Sequence, residues 1–207
     1  MDRTKIKILV ENTIKEHLTP QVVVGVSNRH IHLSEKDKEL LFGDVPLIPI
    51  KPLLAGNFAA EQTVTIKGPK GFFNKVRVLG PCRSITQVEV SLTDTFTLGI
   101  KAPVAESGDL SKAAEMTIEN PLTRVSIVRK AAIIALRHIH TSPEFGLKYG
   151  IKDKSFVKVR FEGERALTFE QVLIRIQEDF TDEMHIDIDE ANSGGIKSGD
   201  FGRILLI

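Results

Sequence analysis

Four of the six histidines in this 207-residue chain fall in two copies of one tetrapeptide, Arg-His-Ile-His, at 29–32 and 137–140. In an extended segment, residues i and i+2 point to the same side. His30 and His32 therefore project together, and so do His138 and His140. Two imidazoles on one side can reach one divalent ion, with zinc–nitrogen bonds of about 2.0–2.1 Å. Both copies continue in a shared frame, RHIHLS and RHIHTS. That repetition favours ligand pairs over the competing reading, a structural duplication in which the histidines only donate hydrogen bonds.

Each pair needs further ligands. His185, in EMHIDIDEAN, alternates with Asp187 and Asp189 and is the natural third imidazole for one pair. A carboxylate can complete the other, and Glu89 and Glu61 are the candidates. In GPCRSITQVEVS, residues Arg83, Gln87 and Glu89 share a side if the segment is one regular strand. That side would carry a cation, an amide and a carboxylate. Three protein ligands with an open position make a catalytic site, and four make a closed structural one. Two histidine pairs, one more histidine and one carboxylate suit two three-ligand sites. An arginine beside them suits a phosphate or carboxylate, because its planar fork bonds two oxygens at once.

Other motifs carry less. Cys82 is the lone cysteine; it reads as small buried filler rather than an activated thiolate. NSGGIKSGDFG at 192–202 does not match G-x-x-x-x-G-K-[ST] and reads as a turn. His17 reads as a surface residue.

The elements that position the histidines are legible around them. Each RHIH follows an apolar run, VVVGVSN or AAIIAL, and precedes a serine, Ser34 or Ser142, suited to cap a helix. Pro143 takes the favoured first helical position. The repeated unit is thus strand, histidine pair, capped helix. Short runs such as TVTIKG, KVRVLG, TQVEVS, FVKVRF, VLIRIQ and MHIDID alternate apolar and polar residues between turn formers. Many short strands and few long helices imply a mainly β protein, a barrel or a sandwich. Residues 1–18 form the exception: Ile6, Val10, Ile14 and Leu18, with Leu9, line one face of an amphipathic helix that Pro20 stops.

Composition sets the outer bounds. The net charge of +1 gives no overall push towards nucleic acid or membrane. No apolar run approaches the roughly 18 residues of a transmembrane span. One cysteine permits no internal disulfide, and the first residues lack a secretory apolar core, so a reducing intracellular compartment is expected.

The pieces GVSNRHIHLS (25–34), FAAEQTV (58–64), LGPCRSITQVE (79–89), RHIHTSP (137–143) and HIDIDEANSGG (185–195) occur in one order along the chain. Together they resemble the PduL-type phosphate acyltransferases, also called phosphate propanoyltransferases, of bacterial microcompartments. The resemblance covers nearly the whole chain from about residue 20, with no departure at the histidines, Arg83 or Glu89. It implies exchange of CoA for inorganic phosphate on a short acyl group, such as propanoyl. It implies two divalent metal ions, normally zinc. His30, His32 and Glu89 would hold one, and His138, His140 and His185 the other. Arg83 would be the catalytic, phosphate-binding residue. Ser27, Lys51, Arg77, Leu79, His185 and Asn192 would contact CoA.

The family fold is two small β-barrels with short capping helices. It implies one barrel from 19–28 plus 136–207 and another from 29–135, after the amphipathic helix at 1–18. The two RHIH copies then mark the points where the chain passes from one barrel to the other. By the same resemblance, residues 1–18 would be an encapsulation segment that binds shell or lumen proteins of a microcompartment in the bacterial cytoplasm. A homo-oligomer is compatible with all of this.

Two other classes compete. A zinc-dependent hydrolase of a thioester or phosphorylated substrate would use bound hydroxide in place of phosphate. However, the chain is shorter than the roughly 250 residues of a TIM barrel, and HIHLSE and HIHTSP lack the H-x-H-x-D-H pattern of metallo-β-lactamase-like hydrolases. A non-enzymatic, metal-stabilised scaffold protein is the second.

Overall fold

A computed structural model describes residues 19–53 and 56–205. The amphipathic helix expected over 1–18, with His17, lies outside the described residues. In chain order the described elements are β1 (Gln21–Ser27), β2 (His30–Ser34), α1 (Glu35–Phe42), β3 (Pro49–Pro52), β4 (Phe58–Lys67), β5 (Phe72–Arg83), β6 (Gln87–Glu89) and α2 (Leu92–Leu98). There follow β7 (Val104–Ala105), β8 (Ala114–Glu119), β9 (Ser126–Ala135), β10 (His138–Thr141), α3 (Pro143–Tyr149), β11 (Phe156–Phe161), β12 (Leu167–Ile176), β13 (Glu183–Asp187), α4 (Ile188–Gly194) and β14 (Phe201–Leu205). The chain is mainly β with short helices, as expected. None of the described helices is long and apolar enough to cross a membrane.

The chain divides into two compact units. Of the described residues, the first unit takes 19–25, Arg137–His185 and 191–205; the second takes Val26–Leu136, apart from 54 and 55, and Ile186–Glu190. A six-stranded closed barrel in the order β1-β13-β10-β12-β11-β14 belongs to the first. The second closes through β4-β5-β2-β6-β9-β8, with β8 bonded to both β9 and β4, and with β3 and β7 at its flanks.

Each histidine pair sits in the same local pairing. β2 runs parallel to β5 and antiparallel to β6. β10 runs parallel to β12 and antiparallel to β13. The isoleucine between the two histidines points into its barrel. Ile31 meets Val78 and Val88, and Ile139 meets Ile174 and Met184, all six with no exposed surface. Burying each such side chain contributes about 2 kcal/mol. Because strand side chains alternate, this burial drives the flanking histidines to the outer face.

The expected caps end both histidine strands. Ser34 Oγ accepts the Asp37 N–H at 3.1 Å, and Ser142 Oγ accepts the Phe145 N–H at 3.2 Å, with Pro143 opening α3. Gly43 and Gly150, at φ 66° and 68°, then end α1 and α3 in a conformation that costs glycine little.

SLTDTF has weak helix formers, yet a reciprocal Ser91–Asp94 capping box nucleates α2. One segment differs from the sequence expectation. The alternation of His185, Asp187 and Asp189 does not continue as a strand. β13 stops at Asp187, and Asp189 lies in the first turn of α4, where its carboxylate accepts the Thr93 N–H at 2.7 Å. The start of the glycine-rich stretch at 192–202 likewise belongs to α4.

Candidate metal centres

In the second unit, the alternation of β2 puts His30 and His32 beside Glu89 on β6. His30 stands directly across the antiparallel ladder from Glu89, with Nε2 3.4 Å from Oε2. Its other nitrogen, Nδ1, lies 2.9 Å from the Asn28 carbonyl. A carbonyl can only accept, so Nδ1 donates to it, which leaves Nε2 as the nitrogen turned towards Glu89. His32 is 3% exposed, and its Nδ1 is buried without a hydrogen bond. Burial first, then the His30 and Arg83 charges, push its pKa down to about 3 against the weaker pull of Glu89. The ring is therefore neutral at neutral pH, the state a metal requires. One donor atom from each of the three residues lies within 4.8 Å of the others.

Arg83 reaches this group by a route that the sequence does not reveal. It ends β5, residues 84–86 break the strand, and Gln87 opens β6. The three residues are thus not on one regular strand. Ser107 gathers them instead. Its hydroxyl accepts from Arg83 Nη1 at 3.3 Å and from Gln87 Nε2 at 2.8 Å, and donates to Glu89 Oε1 at 3.3 Å. Gln87 also donates to Glu89 Oε1 at 2.7 Å and accepts the Gly108 N–H at 2.7 Å. A lone serine in a loop carries no sequence signal, so Ser107 is not foreseeable.

The register extends this face. His30 lies beside Arg77 and His32 beside Leu79 on β5; Leu79 lies beside Ala59, and Ala59 beside Lys51. Lys51, Arg77 and Leu79 thus share the sheet face of the His30 group. Arg77 Nη1 donates to the carbonyls of Ala60 and Glu61, both at 2.8 Å. Glu61 itself is exposed and belongs to neither ligand group. Ser27, half-buried, ends β1, and Asn192 is exposed on α4.

In the first unit, His138 stands across the ladder from His185. The His138, His140 and His185 ring centroids are 4.7 to 5.1 Å apart, and their donor atoms lie within 4.8 Å of one another. His140 stacks on Phe180 at 4.1 Å, and both its ring nitrogens are buried without a hydrogen bond. Burial, then the His138, His185 and Arg175 charges, push its pKa down to about 2. Glu183 Oε1 lies 3.6 Å from His185 Nε2, and burial pushes the Glu183 carboxyl up.

Both groups fit a divalent ion. A buried polar atom with no partner costs about 1–3 kcal/mol. The buried nitrogens of His32 and His140 would each gain a partner from a bound cation, and every donor set is one that zinc accepts.

The arginine of RHIH also has a repeated role. Arg29 lies over Phe73 at 4.1 Å, and Arg137 over Phe169 at 5.1 Å. Each ring comes from the strand parallel to the histidine strand. Arg29 is further held by both oxygens of Asp94, at 3.0 and 2.6 Å.

A family model described as phosphate propanoyltransferase matches residues 23–197. The chain belongs to the phosphate propanoyltransferase family. A phosphate propanoyltransferase of Thermotoga maritima is 51% identical over 189 residues, covering 90% of either chain. One from Rhodopseudomonas palustris is 48% identical over 186 residues, 89% of this chain and 82% of that one. One from Limosilactobacillus reuteri is 40% identical over 212 residues, 100% of this chain and 98% of that one. All six histidine-group residues and Arg83 lie inside the span that matches the phosphate propanoyltransferases.

Proposed function

We propose that this chain exchanges CoA and inorganic phosphate reversibly on a short acyl group: propanoyl-CoA plus phosphate gives propanoyl phosphate plus CoA. Family membership supports the reaction class, and the relatives' names support the acyl group and phosphate. The observation that supports the reading is the Arg83–Ser107–Glu89 network, which ties a guanidinium suited to phosphate to the group of His30, His32 and Glu89.

His30, His32 and Glu89 would hold one divalent ion, normally zinc, and His138, His140 and His185 another. Such ions, when bound, supply Lewis-acid polarisation of a carbonyl or phosphoryl oxygen. The chain's own residues do the rest. Arg83 bonds two phosphate oxygens with its fork and holds the nucleophile in place, which removes much of the entropy cost of bringing two reactants together. Ser107 and Glu89 fix the direction of that fork. A phosphate oxygen then attacks the thioester carbonyl carbon, the new C–O bond replaces the C–S bond, and the phosphate proton ends on the CoA sulfur. Lys51 and Arg77 suit the phosphates of CoA and Leu79 an apolar part of it; Ser27, His185 and Asn192 complete the proposed contacts.

Direct attack is preferred to an acyl-enzyme on Cys82. Burial first, then the neighbouring Glu35 carboxylate, push the Cys82 thiol up. It stays protonated and is a poor nucleophile. Residues 1–18 are proposed as the encapsulation segment for a microcompartment lumen; their deletion should preserve activity and abolish co-purification with shells.

The decisive assay is release of free CoA thiol from propanoyl-CoA with and without phosphate. Release that depends on phosphate supports the acyltransferase. Equal release without phosphate would point to a thioester hydrolase, and no release to a scaffold.

A further inference from the structure

The His30 group includes a carboxylate, whereas the His138 group consists of three imidazoles. The strand register indicates where a negative charge enters the second of these. Glu183 stands across the ladder from His140, as Gln87 stands across from His32. Gln87 turns its amide onto Glu89, two residues further along its own strand, at 2.7 Å. Glu183 turns its carboxylate towards His185, also two residues further along, with Oε1 3.6 Å from Nε2. Among the described residues no lysine or arginine pairs with Glu183.

Its place is made by Gly25 on β1. A Cβ at Gly25 would collide with Glu183 Oε1. Gly25 does not have a positive φ, so the site uses its missing side chain rather than its backbone freedom. Glu183 is not one of the three residues whose donor atoms lie within 4.8 Å of one another, so its carboxylate stands beside His185 rather than in the ligand group.

We propose that Glu183 is a positioning carboxylate of the His138–His140–His185 centre, supplying the negative charge that three imidazoles lack, and that Gly25 is there to admit it. This rests on the reading that the group binds a divalent ion.

Metal-free full-length protein titrated with zinc against a chromophoric chelator tests it. Wild type takes up two ions. Glu183→Gln, which keeps the shape and removes the charge, weakens one site by about 10–100-fold and leaves the other unchanged. Gly25→Ala weakens the same site. In a His140→Ala background, Glu183→Gln has no further effect. The cobalt-loaded protein changes its visible absorption in Glu183→Gln, while the metal-free variant melts like wild type. Two zinc sites of wild-type affinity and an unchanged cobalt spectrum in Glu183→Gln overturn the proposal while leaving the metal reading intact. Wild-type protein that binds fewer than two ions overturns the metal reading, and the proposal with it.

Discussion

Glu89 faces His30 across an antiparallel ladder, and in the other unit His185 faces His138 at the same step of the same pairing pattern. In each unit, two of the candidate ligands come from i, i+2 on one strand and the third from the neighbour antiparallel to it. The geometry of a ligand group is thus a by-product of strand register. A one-residue slip of β2 or β10 would turn both of its histidines inward and Ile31 or Ile139 outward.

Removing one imidazole should therefore empty one centre and spare the other. His32→Ala and His140→Ala are each expected to retain about half of the wild-type metal content, with thiol-release activity lost. Elemental analysis of the purified variants checks this; full metal content in either variant would contradict the ligand assignment.

Arg83→Ala is expected to lower kcat/KM for phosphate by about 100-fold, the scale for losing one preorganised donor to a reacting oxyanion, without loss of metal. Arg83→Lys should restore little, because a point charge does not reproduce the fork. Ser107→Ala should give a smaller loss in the same parameter, because Ser107 only aims the groups around it. Phosphate kinetics of the three variants, with metal content measured alongside, check the order.

Cys82→Ser should retain most activity. Partial burial and the Glu35 carboxylate push the Cys82 thiol up, and direct attack needs no protein nucleophile. Loss of turnover in a folded, metal-loaded variant would favour the acyl-enzyme route.

Asp37 should matter for stability rather than for chemistry. Both its oxygens engage Arg129, at 2.6 and 3.0 Å, and Thr86 donates to it at 2.6 Å. Burial alone raises the Asp37 carboxyl, but Arg129 and Thr86 outweigh burial and hold it below the usual range. Such a depressed carboxyl contributes stability at pH values above its unfolded pKa of about 3.9, and that contribution is lost as pH falls through the folded value. Asp37→Asn is expected to cost about 2–3 kcal/mol at pH 7. The gap from wild type should close as the pH drops below about 4. Urea unfolding across that range checks it.

The histidines, both serine caps and most barrel strands were legible because each rests on a local rule: period-two alternation, or a hydroxyl before a helix. The parallel pairing of β2 with β5 was not legible, since register between distant strands leaves no local mark. Ser107, Phe180 and Glu183 were missed for the same reason; each acquires its role from a neighbour brought alongside by pairing. Asp189 was misread because alternation in HIDID holds only to the point where a helix begins. Arg83, Gln87 and Glu89 do gather as their spacing suggests, but through a serine hydroxyl rather than along one strand.

The central claim is metal-dependent transfer of an acyl group to phosphate, and one measurement addresses it directly. CoA thiol release from propanoyl-CoA is followed in protein that has been stripped of metal, reloaded with zinc, and supplied or not with phosphate. The account predicts release only where zinc and phosphate are both present, with propanoyl phosphate formed in equal amount. Full activity in the stripped protein, or release that ignores phosphate, would contradict it.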